Sequence, residues 1–225
     1  MKRFFNAILT LSLLSFVGCG ELVENFADYV NGTLVPGGSG NSENTGTTES
    51  TQVVYKVGDY YNVNGKEGVV FWVDETGRHG KIVNLVESGA QWSSDVTECR
   101  TFIGATNETD GAKNMAVVKQ IADWESKYPA FAWCAELGED WYLPAIKELE
   151  LLLLDESVHD AVDQTMKDKG ANLADIGISR FYCSSTEYYK TGYWGMWGVY
   201  LYDATTTYRE KSAYTHYFIY AVSAF

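Results

Sequence analysis

Ten tyrosines, two tryptophans and two phenylalanines fall between Tyr182 and Phe225, a stretch of 44 residues. Phenols at that density do one kind of chemistry well. Each ring offers a large, rigid contact face with a hydroxyl at its tip, at low conformational cost. From Ser185 onward the formal charges cancel, Lys190, Arg209 and Lys211 against Glu187, Asp203 and Glu210, although the whole chain carries −13. A neutral, tyrosine-rich segment on an acidic protein has the composition of a recognition surface. Strand alternation sharpens this. Trp197, Val199 and Leu201 would share one face, and Gly198, Tyr200 and Tyr202 the other. Trp197, Val199 and Leu201 are expected in the core, with Tyr182, Ile219 and Val222. Tyr188, Tyr189, Tyr193, Tyr200, Tyr202, Tyr208, Tyr214, His216 and Tyr220 are the expected ligand contacts.

Groupings that would do catalysis are missing from the sequence. His79, His159 and His216 lie far apart, without metal-ligand spacing. Glu148 and Glu150 are two residues apart on a helical stretch and point to different faces. There is no glycine-rich phosphate loop and no nucleophile elbow. No enzymatic activity, metal or cofactor is expected. The negative charge argues against nucleic acid, whose phosphates would be repelled, and against electrostatic docking on anionic lipid.

The front of the chain has a different purpose. Lys2 and Arg3 precede an apolar run from Phe4 to Val17, closed by Gly18-Cys19. That is the shape of a signal peptide over residues 1–18, too short to anchor the chain by itself. Phe16-Val17-Gly18-Cys19 resembles the bacterial lipobox, which implies cleavage before Cys19 and acylation there. Several acyl chains on one residue anchor stably without a transmembrane helix. Residues 20–52 contain no Lys or Arg, and Gly37 to Gln52 is almost wholly Gly, Ser, Thr, Asn, Glu and Gln. This is expected to be a flexible linker, reaching on the order of 5–6 Å × √n. Within residues 21–35, Leu22, Val23, Phe26, Tyr29 and Val30 have near-helical spacing, compatible with a short helix or with no stable structure. The expected location is the outer membrane or cell surface, with the lipid as the only membrane contact.

Four cysteines are too few for a disulfide-dense scaffold. With Cys19 acylated, Cys99, Cys134 and Cys183 remain, an odd number. Cys134 reads as a buried thiol, and a Cys99–Cys134 bridge stays undecided.

Residues 53–225 read as one folded domain. Tyr55 to Leu85 has strand character, with Asn64-Gly65 as a hairpin turn and Glu75-Thr76-Gly77 as a second turn. Met115, Val118, Ile121 and Ala122 form a helical stripe between Ala112 and Lys127. Pro129 stops that helix and starts another. Pro144 opens a third in its first turn, through Ile146, Leu149 and Leu151 to Leu154. A fourth runs from Ser157 to Lys169, ended by Gly170. From Phe181 the pattern returns to strands. The order strands, helices, strands predicts an α+β fold with a mixed, mainly antiparallel sheet.

Several short motifs carry a family resemblance. Trp141-Tyr142-Leu143-Pro144 with Lys147-Glu148-Leu149, and Ser184-Ser185-Thr186-Glu187 with Cys183 in place of the usual Trp, resemble two segments of bacterial C-type-lectin-like domains. Gly58-Asp59-Tyr60-Tyr61, Gly68-Val69-Val70-Phe71 and Arg78-His79-Gly80 match the front of such domains. Ala221-Val222-Ser223-Ala224-Phe225 resembles the terminus of variable proteins of diversity-generating retroelements in gut anaerobes. The resemblance implies a compact C-type-lectin-like fold with its termini close together, and a loop-supporting role for Glu148. It also implies a diversified surface over about residues 185–225 that binds a protein or glycan ligand. The calcium-binding triplets of animal C-type lectins are absent, so a calcium-bridged sugar is not expected. The alternative reading is a structural tip adhesin of a pilus-like fibre.

Overall fold

Asn64 and Gly65 adopt φ of 53° and 80°, the paired left-handed geometry that matches the twist of antiparallel strands. They join β1 (Tyr60–Val63) to β2 (Lys66–Val73), where the sequence places a hairpin. The computed structural model describes residues 53–225; the expected signal peptide, the expected lipidation site Cys19, residues 21–35 and the expected linker lie outside the described residues. β2 buries Gly68 to Phe71 in succession, so both of its faces are covered. A bulge between Val70 and Trp72 then turns Trp72 toward solvent. β3 (Gly80–Val83) returns beside β2.

The sequence pattern does not announce β4 (Ser88–Ala90) or the single turn α1 (Val96–Cys99). The stripe from Ala112 to Lys127 is two helices rather than one, α2 (Gly111–Val118) and α3 (Trp124–Lys127). The i→i−4 ladder of α2 ends at Lys119; Gln120 and Ile121 turn with i→i−3 bonds, and Asp123 takes a left-handed φ of 57° just before α3. Pro129 begins α4 (Pro129–Glu136), where its missing N–H costs nothing. After β5 (Trp141–Tyr142) come α5 (Ile146–Leu154) and α6 (Glu156–Asp168). Pro144 lies just before the Ala145 cap of α5, not in its first turn. Asp155 caps α6 by accepting from the backbone N–H groups of Ser157 and Val158. The remainder is β6 (Phe181–Lys190), β7 (Tyr193–Tyr200), β8 (Thr205–Glu210), β9 (Tyr217–Ile219) and β10 (Val222–Ala224).

The fold is α+β, with two five-stranded sheets where alternation alone suggests one. Their orders are β1-β2-β3-β10-β5 and β4-β9-β6-β7-β8. Among the described strands every pairing is antiparallel except β6 with β9. The second sheet begins at β4, whose partner β9 lies far along the chain, so local periodicity cannot reveal it. Leu149, Leu152 and Leu153 of α5 and Val162 and Met166 of α6 share one continuous core with Phe71, Ile82 and Val83. The Phe225 ring packs against Tyr55 and Tyr61, centroids 5.0 and 4.6 Å apart, so the two ends of the described body meet. Cys99, Cys134 and Cys183 are all unbridged and buried. Among the described residues no helix is long and apolar enough to cross a membrane.

Candidate functional site

Between the pairs Cys183–Gly198 and Glu187–Met196, three residues of β6 oppose the single residue Trp197 of β7. The bulged residues Ser184, Ser185 and Thr186 are buried, so their polar atoms need partners inside the protein. Ser184 Oγ donates to the Trp197 carbonyl at 2.7 Å, and Asn114 Nδ2 donates to Ser185 Oγ at 2.9 Å. Thr186 Oγ1 donates to the Asn107 carbonyl at 2.9 Å and accepts from the Ile146 N–H at 3.0 Å. Glu187 accepts from the backbone N–H groups of Ile103, Gly104 and Ala105 and from Lys211 Nζ. Lys211 Nζ also donates to the Thr101 carbonyl. The motif is therefore a junction that ties the 101–107 loop, α2 and the start of α5 to the second sheet. Glu148 performs a similar task nearby. It accepts from the N–H groups of Gly111 and Ala145, from the Tyr142 hydroxyl and from Lys81.

On this frame, Tyr208 pairs with Trp197 and Tyr188 with Gly195. The two-residue strand period then places Tyr188, Tyr193, Trp197 and Tyr208 on one face. Tyr188 and Tyr208 stack with centroids 4.0 Å apart and planes 11° apart. Trp197 meets them edge-on at 5.1 and 5.7 Å, and Tyr193 meets Tyr208 at 5.4 Å. Gly195 makes the space: a Cβ there would sit 2.8 Å from Tyr193 Cε1 and 2.5 Å from the Arg209 carbonyl. Tyr208 is 41% exposed, while Tyr188, Tyr193 and Trp197 are half-buried. Desolvation, then a hydrogen bond with Tyr208, raises the Tyr188 phenol above its ordinary pKa. Desolvation, then the Glu210 carboxylate, raises Tyr193. Both hydroxyls therefore stay protonated at neutral pH and can donate.

The other expected contacts are dispersed. Tyr189 is exposed on the opposite face of β6, 5.6 Å from Phe102 and 6.1 Å from Trp194. Tyr202 is 64% exposed beside the half-buried Tyr200, whose hydroxyl lies 3.1 Å from Ser179 Oγ. Tyr214 and His216 are exposed between β8 and β9.

Two expectations are corrected. Tyr220 is not a surface position: it is 1% exposed, stacked on Tyr182 at 5.2 Å with planes 3° apart. It falls inward because β9 ends at Ile219 and the chain crosses into the first sheet there. Trp197 is not sealed in the core, although Val199, Leu201, Tyr182, Ile219 and Val222 are. The face that is core-like at Val199 runs outward along β7 and becomes an aromatic surface at Trp197.

Sequence reasoning missed Phe102, which reaches Tyr189 from a loop with no pattern of its own, and it missed the buried Lys211. No local signal marks Lys211, which follows Arg209 and Glu210 in a charged run that reads as solvent-exposed. No protein-family model matches the chain, and no curated protein matches it.

Proposed function

We propose that this is a surface-displayed, lipid-anchored binding protein whose tyrosine-rich C-terminal surface recognises a protein or glycan ligand. The domain is read as C-type-lectin-like, and the segment of about residues 185–225 as the part that varies between copies. The observation that carries the reading is the cluster of Tyr188, Tyr193, Trp197 and Tyr208 on a sheet whose opposite anchor points are buried. Such an arrangement separates contact residues from frame residues. Rings on the outer face can be exchanged while the Ser184–Glu187 junction holds the backbone. The meeting of Tyr55 with Phe225, and the placing of β10 between β3 and β5, agree with a domain that closes its ends together. Lipidation at Cys19 supplies the anchor, and the linker would hold the domain away from the membrane.

The test is a binding screen of the intact lipoprotein against glycan and protein arrays, repeated with a Tyr188→Ala, Tyr208→Ala double variant. Loss of the captured ligand by a variant that still unfolds cooperatively, with its melting temperature lowered by only a few degrees, supports the reading. Equal capture by both proteins removes it. The diversification element is tested separately by the surrounding DNA. A reverse-transcriptase gene with a near-copy of the 3′ coding segment, differing mainly at adenines, is expected.

A further inference from the structure

Arg209 lies on the opposite face of β8 from Tyr208. Its guanidinium stands over two aromatic rings, 5.5 Å from the Phe181 centroid and 5.6 Å from that of Tyr200. Among the described residues it makes no ion pair and no side-chain hydrogen bond. Arg180 offers the contrast: it also stands on a ring, Phe218, yet Glu87 neutralises it at 2.6 Å. Arg209 instead borders a cleft of about 550 Å³ whose walls include Phe181, Glu210, Thr215, His216 and Tyr217. That volume is in the range of small-ligand sites.

We propose that this cleft binds a sugar carrying a single carboxylate, such as a uronic- or sialic-acid unit of a glycan, with Arg209 as the carboxylate clamp. This rests on reading the tyrosine-rich segment as a recognition surface and names the chemistry of one part of it. A guanidinium fork matches a carboxylate bidentately. Stacking on Phe181 and Tyr200 holds the fork ready, so less freedom is lost on binding. The rings of Phe181 and Tyr217, 5.4 Å apart, edge to face and each 8% exposed, form an apolar floor whose edges can meet the C–H groups of a pyranose. Thr215 and His216 supply polar atoms for hydroxyls. Glu210 decides between ligand classes. It repels a chain of carboxylates such as an acidic peptide, but it accepts hydrogen bonds from sugar hydroxyls. One negative charge among many hydroxyl donors satisfies both Arg209 and Glu210.

The test titrates the full-length protein with glucuronic acid, N-acetylneuraminic acid, glucose and a tetra-aspartate peptide, followed by calorimetry and amide chemical shifts. Millimolar binding of the acidic sugars is expected, with shifts centred on residues 209–217, and glucose and the peptide should bind at least about tenfold more weakly. Arg209→Gln should lose about tenfold or more in acidic-sugar affinity, Arg209→Lys less, and Thr215→Val should weaken both acidic and neutral sugars. Arg209 is exposed, so its variants should melt with wild type. Unchanged affinity in Arg209→Gln, glucose binding equal to glucuronic acid, peptide binding as tight as the sugars, or no binding at all would each overturn the proposal. If acidic sugars fail while capture through Tyr188 and Tyr208 persists, only this inference falls. If both fail, the recognition reading falls with it.

Discussion

Lys211 Nζ lies 2.6 Å from Glu187 Oε1, and neither side chain reaches solvent, at 1% and 0% exposure. Lys211 stands inside the segment expected to vary, yet it belongs to the frame, because it closes the carboxylate that gathers the 103–105 backbone. It also lies over the Trp92 ring at 4.9 Å. The stretch of residues 185–225 therefore contains at least one charged position that the frame itself holds in place.

The Glu187–Lys211 pair should be costly to break from one side. Lys211→Met leaves a buried carboxylate without its cation and is expected to lose about 3–5 kcal/mol, whereas Glu187→Gln with Lys211→Met should recover part of that loss. Urea unfolding of the single and double variants measures this. A double variant that loses the sum of the two single effects would mean the groups do not interact.

Tyr208 and Tyr220 should separate contact from scaffold. Tyr208→Ala removes an exposed stack and is expected to cost only about 1 kcal/mol while altering ligand binding. Tyr220→Ala opens a cavity beneath Tyr182 and should cost about 3–5 kcal/mol. Thermal melts and array binding of the two proteins give the comparison. Comparable losses of stability would place Tyr208 in the core.

Acid stability should carry a signature of Asp155. The Ser157 hydroxyl, then the backbone N–H groups of Val158 and Ser157, hold this carboxyl below its ordinary pKa of 3.8. A carboxyl with a lowered folded-state pKa contributes fully above its unfolded value, and its contribution is lost as pH falls through the lower folded value. Denaturation midpoints followed downward from pH 5 should therefore fall less steeply for Asp155→Asn than for wild type. Asn preserves the cap at neutral pH but cannot titrate. Parallel acid limbs would show that the cap carries no pH dependence.

The three thiols should be silent in the folded protein. Burial pushes Cys134 and Cys183 far above their ordinary range, and Cys99 is raised by burial as well. A low thiolate fraction and closed access both suppress attack on a disulfide reagent. Ellman's reagent should label Cys99, Cys134 and Cys183 only in denaturant, with Cys99 first where labelling is partial. Rapid native labelling of Cys183 would contradict its placement.

Local chemistry made part of this molecule readable. Asn64-Gly65 can hardly form anything but a hairpin turn, and Pro129 and Gly170 mark helix ends by steric rule. The core positions Val199, Leu201 and Ile219 follow from alternation. What stayed hidden depends on distant partners. Tyr220 looks like its exposed neighbours until the chain's passage from β9 to β10 is known. Trp197 shares a face with Val199, but one end of that face packs in the core while the other lies beyond the edge of it. The split of residues 112–127 lies over residues 119–123, where i→i−3 bonds and the left-handed Asp123 replace the helical ladder without a Gly or Pro to announce it.

The placing of β10 between β3 and β5 makes the sheet nearest the start of the domain depend on a strand from the far end of the same domain. A chain cut short upstream of Val222 would leave β5 without its strand partner, β3 with β2 alone, and the Tyr55–Tyr61 rings without Phe225. Completion of the first sheet thus requires the chain to run through the whole tyrosine-rich segment as far as β10. A change at Val222 or Ser223 is therefore felt at both β3 and β5, while one confined to the rings of Tyr188 and Tyr208 leaves that sheet untouched.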